Sequence, residues 1–150
     1  MGRWTTIAVA VTACAIGCGA DEPMHGPPLQ SSAPIVGDWF LCDAADCSTL
    51  KNHGVNWATD GRWALLLVKD AQALTPTGTY CSSPYDANQG PFTFDEATGS
   101  LVMMDDLGRD AGGGTLTFAG TTASLAQMNG ITSLYMKIDP PRTSGQCPLP

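Results

Sequence analysis

Most of the chemistry open to this 150-residue chain lies in six cysteines, two histidines and two aspartate-bearing stretches. The cysteines are Cys14, Cys18, Cys42, Cys47, Cys81 and Cys147, and no two of them form a C-x-x-C pair. That spacing argues against a structural zinc site and against a thioredoxin-like redox site. His25 lies in a Pro-rich stretch and is expected to be solvated. His53, beside Gly54, is expected in a loop or packing position. As a general base it would need an acidic partner within about 3 Å, and no G-x-S-x-G element accompanies it. Oxygen-bearing side chains between Asp86 and Gly90 could gather around calcium. So could Asp105, Asp106 and Asp110, which precede Gly112, Gly113 and Gly114. The full twelve-residue calcium loop with its terminal Glu is missing, so both stretches are expected to be solvated turns, with the glycines forming a mobile rim. There is no H-E-x-x-H, Walker or Rossmann element. No catalytic residue, metal site or cofactor is assigned.

Aromatic residues are the remaining candidates for binding. Trp39, Trp57, Trp63, Tyr80, Phe92, Phe94, Phe118 and Tyr135 must fill a core that has no long helix to build it. In a barrel, the inward members would line either a packed interior or a small apolar cavity. A continuous open cavity above roughly 300 Å³ would support ligand binding; a filled barrel would point to protein contacts or an envelope-structural role.

Seven basic and fourteen acidic residues give a formal charge of −7, which disfavours nucleic acid, whose phosphates attract Lys and Arg. Charged residues make up only 14% of the chain, and Gly, Ser, Thr and Pro fill the gap, as many turns and short strands require. At the N-terminus Arg3 precedes a small apolar run, 5–17, too short to span a bilayer and proportioned like a signal-peptide core. The end of that run, Ala15-Ile16-Gly17 before Cys18, resembles the lipobox of bacterial lipoproteins. Val11-Thr12-Ala13 before Cys14 also fits the pattern. Cysteine parity favours Cys18, because modification at Cys14 would leave Cys18 as an odd thiol in an oxidising compartment. The resemblance implies cleavage before Cys18, acylation of that residue and anchoring to a lipid bilayer. With Gly19 next in line, it also implies the outer membrane if the envelope is Gram-negative. The expected organisation is a signal peptide over 1–17, a lipidated Cys with a flexible Pro-rich tether over 18–34, and one domain over 35–150. Such a tether could reach about 45 Å from the membrane.

Within the domain, strands are predicted over 35–42, 54–58, 62–68, 78–82, 91–95, 100–104, 115–119, 121–127 and 131–138. Asp60-Gly61, the Glu96–Gly99 stretch, Gly120 and Asn129-Gly130 supply turns. Trp63, Leu65 and Leu67 alternate with Ala64, Leu66 and Val68, so that strand is apolar on both faces and expected to be covered on both. Residues 43–52 hold at most a single helical turn. The sum is an all-β antiparallel meander of about eight strands, expected to close into a small barrel, with an open sandwich as the alternative.

Gly37-Asp38-Trp39 on the first strand, the meander and a cysteine near the C-terminus make the domain similar to the lipocalins. That resemblance implies that Trp39 packs at the closed end of the barrel and that a late basic residue, Lys137 or Arg142, covers it. It also implies a disulfide from a mid-barrel strand to the C-terminal tail, as Cys81 with Cys147. The later T-D-x-Y-type element of the family is not seen. Four domain cysteines allow three pairings, and Cys42 with Cys47 plus Cys81 with Cys147 is the one expected. The functional expectation is a non-catalytic envelope lipoprotein that binds a small apolar ligand or an envelope protein. The alternatives are a hydrolase built on His53 and a calcium-dependent binding module.

Overall fold

Alternating apolar residues separated by turn-forming pairs set one strand after another along the chain. In the computed structural model, which describes residues 25–68, 80–139 and 143–147, ten strands follow in order. They are β1 (Gly37–Cys42), β2 (Leu50–Trp57), β3 (Arg62–Val68), β4 (Tyr80–Ser82), β5 (Gln89–Asp95), β6 (Ser100–Met104), β7 (Asp110–Ala119), β8 (Thr122–Gln127), β9 (Thr132–Ile138) and β10 (Thr143–Gln146). A single 3₁₀ turn, Asp86–Asn88, precedes β5. The proposed signal peptide, Cys14, Cys18 and Arg142 lie outside the described residues.

Eight of these strands close into an antiparallel up-and-down barrel. Its neighbours run β1, β2, β3, β5, β6, β7, β8 and β9, and β9 then pairs back onto β1. Closure depends on β3 serving two partners. Its first half pairs with β5 (Arg62↔Pro91, Ala64↔Gln89), and its second half with β4 (Leu66↔Ser82, Val68↔Tyr80). Strand β10 then adds to β4 in parallel. All edges of the eight-stranded unit are thereby paired, which removes the open backbone groups of a free sheet edge.

The registers place Trp39, Val55, Trp57, Trp63, Phe92, Leu101, Leu116, Ala123 and Leu125 in one inward-facing buried cluster. Trp39 sits in its lower part, and its Nε1–H donates to the Ile35 carbonyl at 2.8 Å. Lys137 Nζ stands 5.5 Å from the Trp39 ring centroid, so a late basic residue does cover this tryptophan. Phe118 packs on the same ring, and Phe94 on Phe118. Residues 25–36 finish this end. Gly26 N–H donates to the Gly61 carbonyl, Leu29 N–H to the Thr59 carbonyl, and Leu29, Ala33 and Val36 pack on the barrel core. A Cβ at Gly26 would sit 1.9 Å from the Phe92 carbonyl oxygen, so only glycine permits the strap to cross there. The second half of the expected tether is therefore docked on the barrel. His25 lies 3.9 Å from Asp60 at the surface.

A second small core lies outside the barrel wall. Phe40, Leu66, Tyr80 and Ile138 are buried together, with Leu50 and Met136 packed against them. The Phe40 and Tyr80 rings are 4.3 Å apart. This is why β3 is apolar on both faces: Trp63 and Leu65 point into the barrel, while Leu66 lies under the β4 side. Disulfides join Cys42 to Cys47 and Cys81 to Cys147, the second tying β4 to the residue that follows β10.

Candidate ligand cavity

The end of the barrel opposite the strap is not filled. A cavity of about 560 Å³ opens there. Its walls come from inward residues of six strands: Val55 and Trp57 (β2), Trp63 and Leu65 (β3), Met103 (β6), Ala111 (β7), Leu125 (β8) and Tyr135 (β9). Polar groups gather at the mouth: His53, Asn88, Asp105, Arg109 and Asp110. Alternation explains both parts, since every second residue of a barrel strand faces inward. Small residues such as Ala111 leave space where larger ones would fill it.

Of the eight aromatic candidates, Trp57, Trp63 and Tyr135 line this cavity. Trp39, Phe92, Phe94 and Phe118 belong to the packed part of the core below it. Tyr80 lies outside the barrel, in the cluster under β4, because its strand covers the wall rather than forming it. Trp57 makes edge contacts with Trp39 (6.3 Å) and Tyr135 (6.2 Å), so it joins the packed core to the open cavity. Burial pushes the Tyr135 hydroxyl above its ordinary pKa, partly offset by a hydrogen bond with the Ser133 side chain.

The acidic stretches form the rim. Asp105 is buried; its Oδ1 accepts from the N–H groups of Leu107 and Arg109, and its Oδ2 from Arg109 Nε at 2.7 Å. Burial raises the Asp105 carboxyl, but hydrogen bonds from the Arg109 backbone and side chain, its charge and the Leu107 N–H outweigh this. The group is held below the ordinary aspartate range. Asp106 receives both its carboxylate hydrogen bonds from Arg62 Nη2 at 2.8 and 2.6 Å. Its N–H is shared between the Asp86 and Gln89 carbonyls. The two acidic stretches thus meet at one rim, where arginines and backbone N–H groups occupy the oxygens of Asp105 and Asp106. They are not both solvated turns. Gly112, Gly113 and Gly114, expected in a mobile rim loop, lie within β7. Among the described residues, no three His, Cys, Asp or Glu side chains are grouped to hold a metal ion.

His53, expected in a loop or packing position, sits on β2 at the mouth. Its Nδ1 lies 3.2 Å from Asn52 Oδ1, and among the described residues no carboxylate forms an ion pair with it. Sequence reasoning did not identify Met103, Ala111, Asn88 or Arg109 as lining residues. The apolar run of β6 marks Met103 as a core candidate, and Asn88 falls in the oxygen-bearing Asp86–Gly90 stretch; nothing local marks Ala111 or Arg109.

A second depression, about 460 Å³, lies on the outer face of β6 and β7 beside Val102, Met104 and Met128, where Gly112, Gly113 and Gly114 carry no side chains. Comparison with family models, curated proteins and solved structures finds no match to this chain.

Proposed function

We propose that the chain is a membrane-anchored, non-catalytic envelope lipoprotein whose barrel binds a small, largely apolar ligand through its open end. The observation that carries the ligand part is the cavity of about 560 Å³, with an apolar wall and a polar mouth. Small-molecule sites fall at roughly 300–1,000 Å³ with this distribution of groups. A ligand burying on the order of 300 Å² of apolar surface gains about 7 kcal/mol before the costs of immobilisation, an upper bound in the micromolar range. The likeness to lipocalins rests on Gly37-Asp38-Trp39, on Lys137 over Trp39 and on the meander closure.

The anchor part rests on the lipobox-like Ala15-Ile16-Gly17-Cys18. With the strap docked from residue 25 onward, the spacer behind an acylated Cys18 would be Gly19 to Met24, with a reach of about 20 Å. The strap lies at the closed end, so the mouth would face away from the bilayer and exchange ligand with the aqueous phase or with a partner protein.

Titration with N-phenyl-1-naphthylamine tests the ligand part. Saturable, one-to-one fluorescence enhancement is expected, and a Leu125→Trp variant that fills the cavity abolishes it. Lack of saturable binding by the wild type contradicts the reading and redirects it to protein contacts. For the anchor, Cys18→Ser is expected to abolish palmitate labelling, whereas unchanged labelling would assign Cys14.

A further inference from the structure

Around the cavity mouth the hydrogen-bond donors are engaged, while several acceptors are not. His53, two residues before Val55 on β2, shares the inward face of that strand and lines the mouth. Its Nδ1 lies 3.2 Å from Asn52 Oδ1. A carbonyl oxygen only accepts, so Nδ1 carries the proton, and Nε2 of the neutral ring is left as an acceptor. Asn88 donates from Nδ2 to Ser83 Oγ at 2.8 Å and keeps its Oδ1. Asp110 Oδ1 accepts from the Gly112 N–H at 2.8 Å, and among the described residues no cation pairs with this exposed carboxylate. The donors of the lining have partners. Trp63 Nε1–H donates to the Met104 carbonyl at 2.7 Å, and Arg109 to Asp105 through Nε and Nη2, both at 2.7 Å. The Tyr135 hydroxyl is hydrogen bonded with the Ser133 side chain. Trp57 is 1% exposed, which keeps its buried Nε1–H out of a ligand's reach.

Charge points the same way. Asp86, whose carbonyl accepts from the Asp106 N–H, brings a further carboxylate beside the rim. Against Asp86, Asp105, Asp106 and Asp110 stand Arg62 and Arg109, and each arginine is held by an aspartate. Of the other described basic side chains, Lys137 lies over Trp39 at the closed end, and Lys51 does not line the cavity. The rim therefore keeps a surplus of carboxylate, in a chain whose formal charge is already −7. An anionic head is repelled there, whereas a cationic donor meets its complement.

On the reading that this cavity holds a ligand, we propose that the ligand is an apolar molecule carrying a protonated amine. The amine sits at the mouth beside Asp110, and the apolar body lies between Trp63, Leu65 and Leu125. A fatty-acid carboxylate is selected against.

The test uses three competitors of matched shape against bound N-phenyl-1-naphthylamine: 2-(aminomethyl)naphthalene, 2-(hydroxymethyl)naphthalene and 2-naphthoate. In the wild type at low salt the amine is expected to bind about fivefold tighter than the alcohol, the upper worth of an exposed ion pair, with naphthoate weakest. Asp110→Asn leaves an oxygen for the Gly112 N–H and removes the charge. It should retain reporter binding while bringing the amine and the alcohol within about twofold of each other. Should that variant fail to fold, salt decides in the wild type. Raising NaCl from about 20 to about 300 mM should narrow the gap, because exposed charges are screened. Asp110 also borders the outer depression, so the amine is titrated into Leu125→Trp as well, where the filled cavity should abolish its binding. Equal binding of amine and alcohol in the wild type or tightest binding by naphthoate would overturn the inference and leave the cavity reading standing. So would a preference that survives Asp110→Asn or ignores salt, or amine binding that survives Leu125→Trp. A wild type that binds no reporter overturns both.

Discussion

Asp105 shows how a side chain can be misread from its neighbours in sequence. Asp105-Asp106 followed by Leu107-Gly108 looks like a solvated turn, and the turn is there. What the chain order hides is that Arg109 folds back over the Asp105 carboxylate, and that Arg62, 44 residues earlier, reaches Asp106. Because the folded-state pKa of Asp105 is depressed, its stabilising effect is fully present above the unfolded value of about 3.9 and is lost as pH falls through the lower folded value. Asp105→Asn is therefore expected to melt at a lower temperature than the wild type at pH 7. The gap should shrink as the pH falls below about 4 toward the depressed folded value, below which the wild-type carboxyl is neutral too. Calorimetric scans at pH 7 and pH 3 check this; a constant gap would mean that the carboxylate charge is not what holds the mouth. His53 is a similar case: its polar neighbours Asn52 and Lys51 disguise a strand residue, since the inward alternation of β2 begins among them.

Strands with two clear signals were legible. β3 and β6 follow the Asp60-Gly61 and Ala97-Thr98-Gly99 turns and are short apolar runs, and their bounds match the expected ones. β7 was expected to begin at Thr115, but it begins at Asp110, because Gly112, Gly113 and Gly114 have no side chains from which to read alternation. β10 was missed altogether. Thr143–Gln146 has no apolar period, and its parallel pairing with β4 is a long-range event with no local signature. The strands set two predictions. The Cys81–Cys147 link spans 66 residues, and replacing both cysteines by alanine is expected to cost about 4 kcal/mol of stability. Ligand-probe affinity should persist, because the clamp lies outside the barrel wall; denaturant unfolding and probe titration read the two effects separately. Gly54 is the second case. A Cβ there would lie 2.2 Å from the Trp39 carbonyl oxygen and 3.0 Å from Phe40 Cγ. Gly54→Ala is expected to destabilise by about 1–3 kcal/mol through overpacking, as read from a denaturation midpoint. A neutral result would show that the strands can separate at that point.

The molecule as a whole combines a closed end with an open one. The strap, Trp39 and Lys137 finish one end, while the other keeps an apolar-walled cavity behind a rim of paired charges. The meander pointed to closure, and the two-faced character of β3 to a strand covered on both sides. The emptiness of the upper half could not be foretold, because it depends on how inward side chains from six strands fill a shared volume. The outer depression beside Val102 and Met128 is a competing apolar surface. Methyl ¹H–¹³C spectra recorded during titration with N-phenyl-1-naphthylamine separate them directly. Saturable shifts are expected at Val55, Leu65, Met103 and Leu125, with Val102, Met104 and Met128 unmoved. Shifts confined to the outer three, or no saturable shift at the inner four, would contradict a ligand-holding barrel.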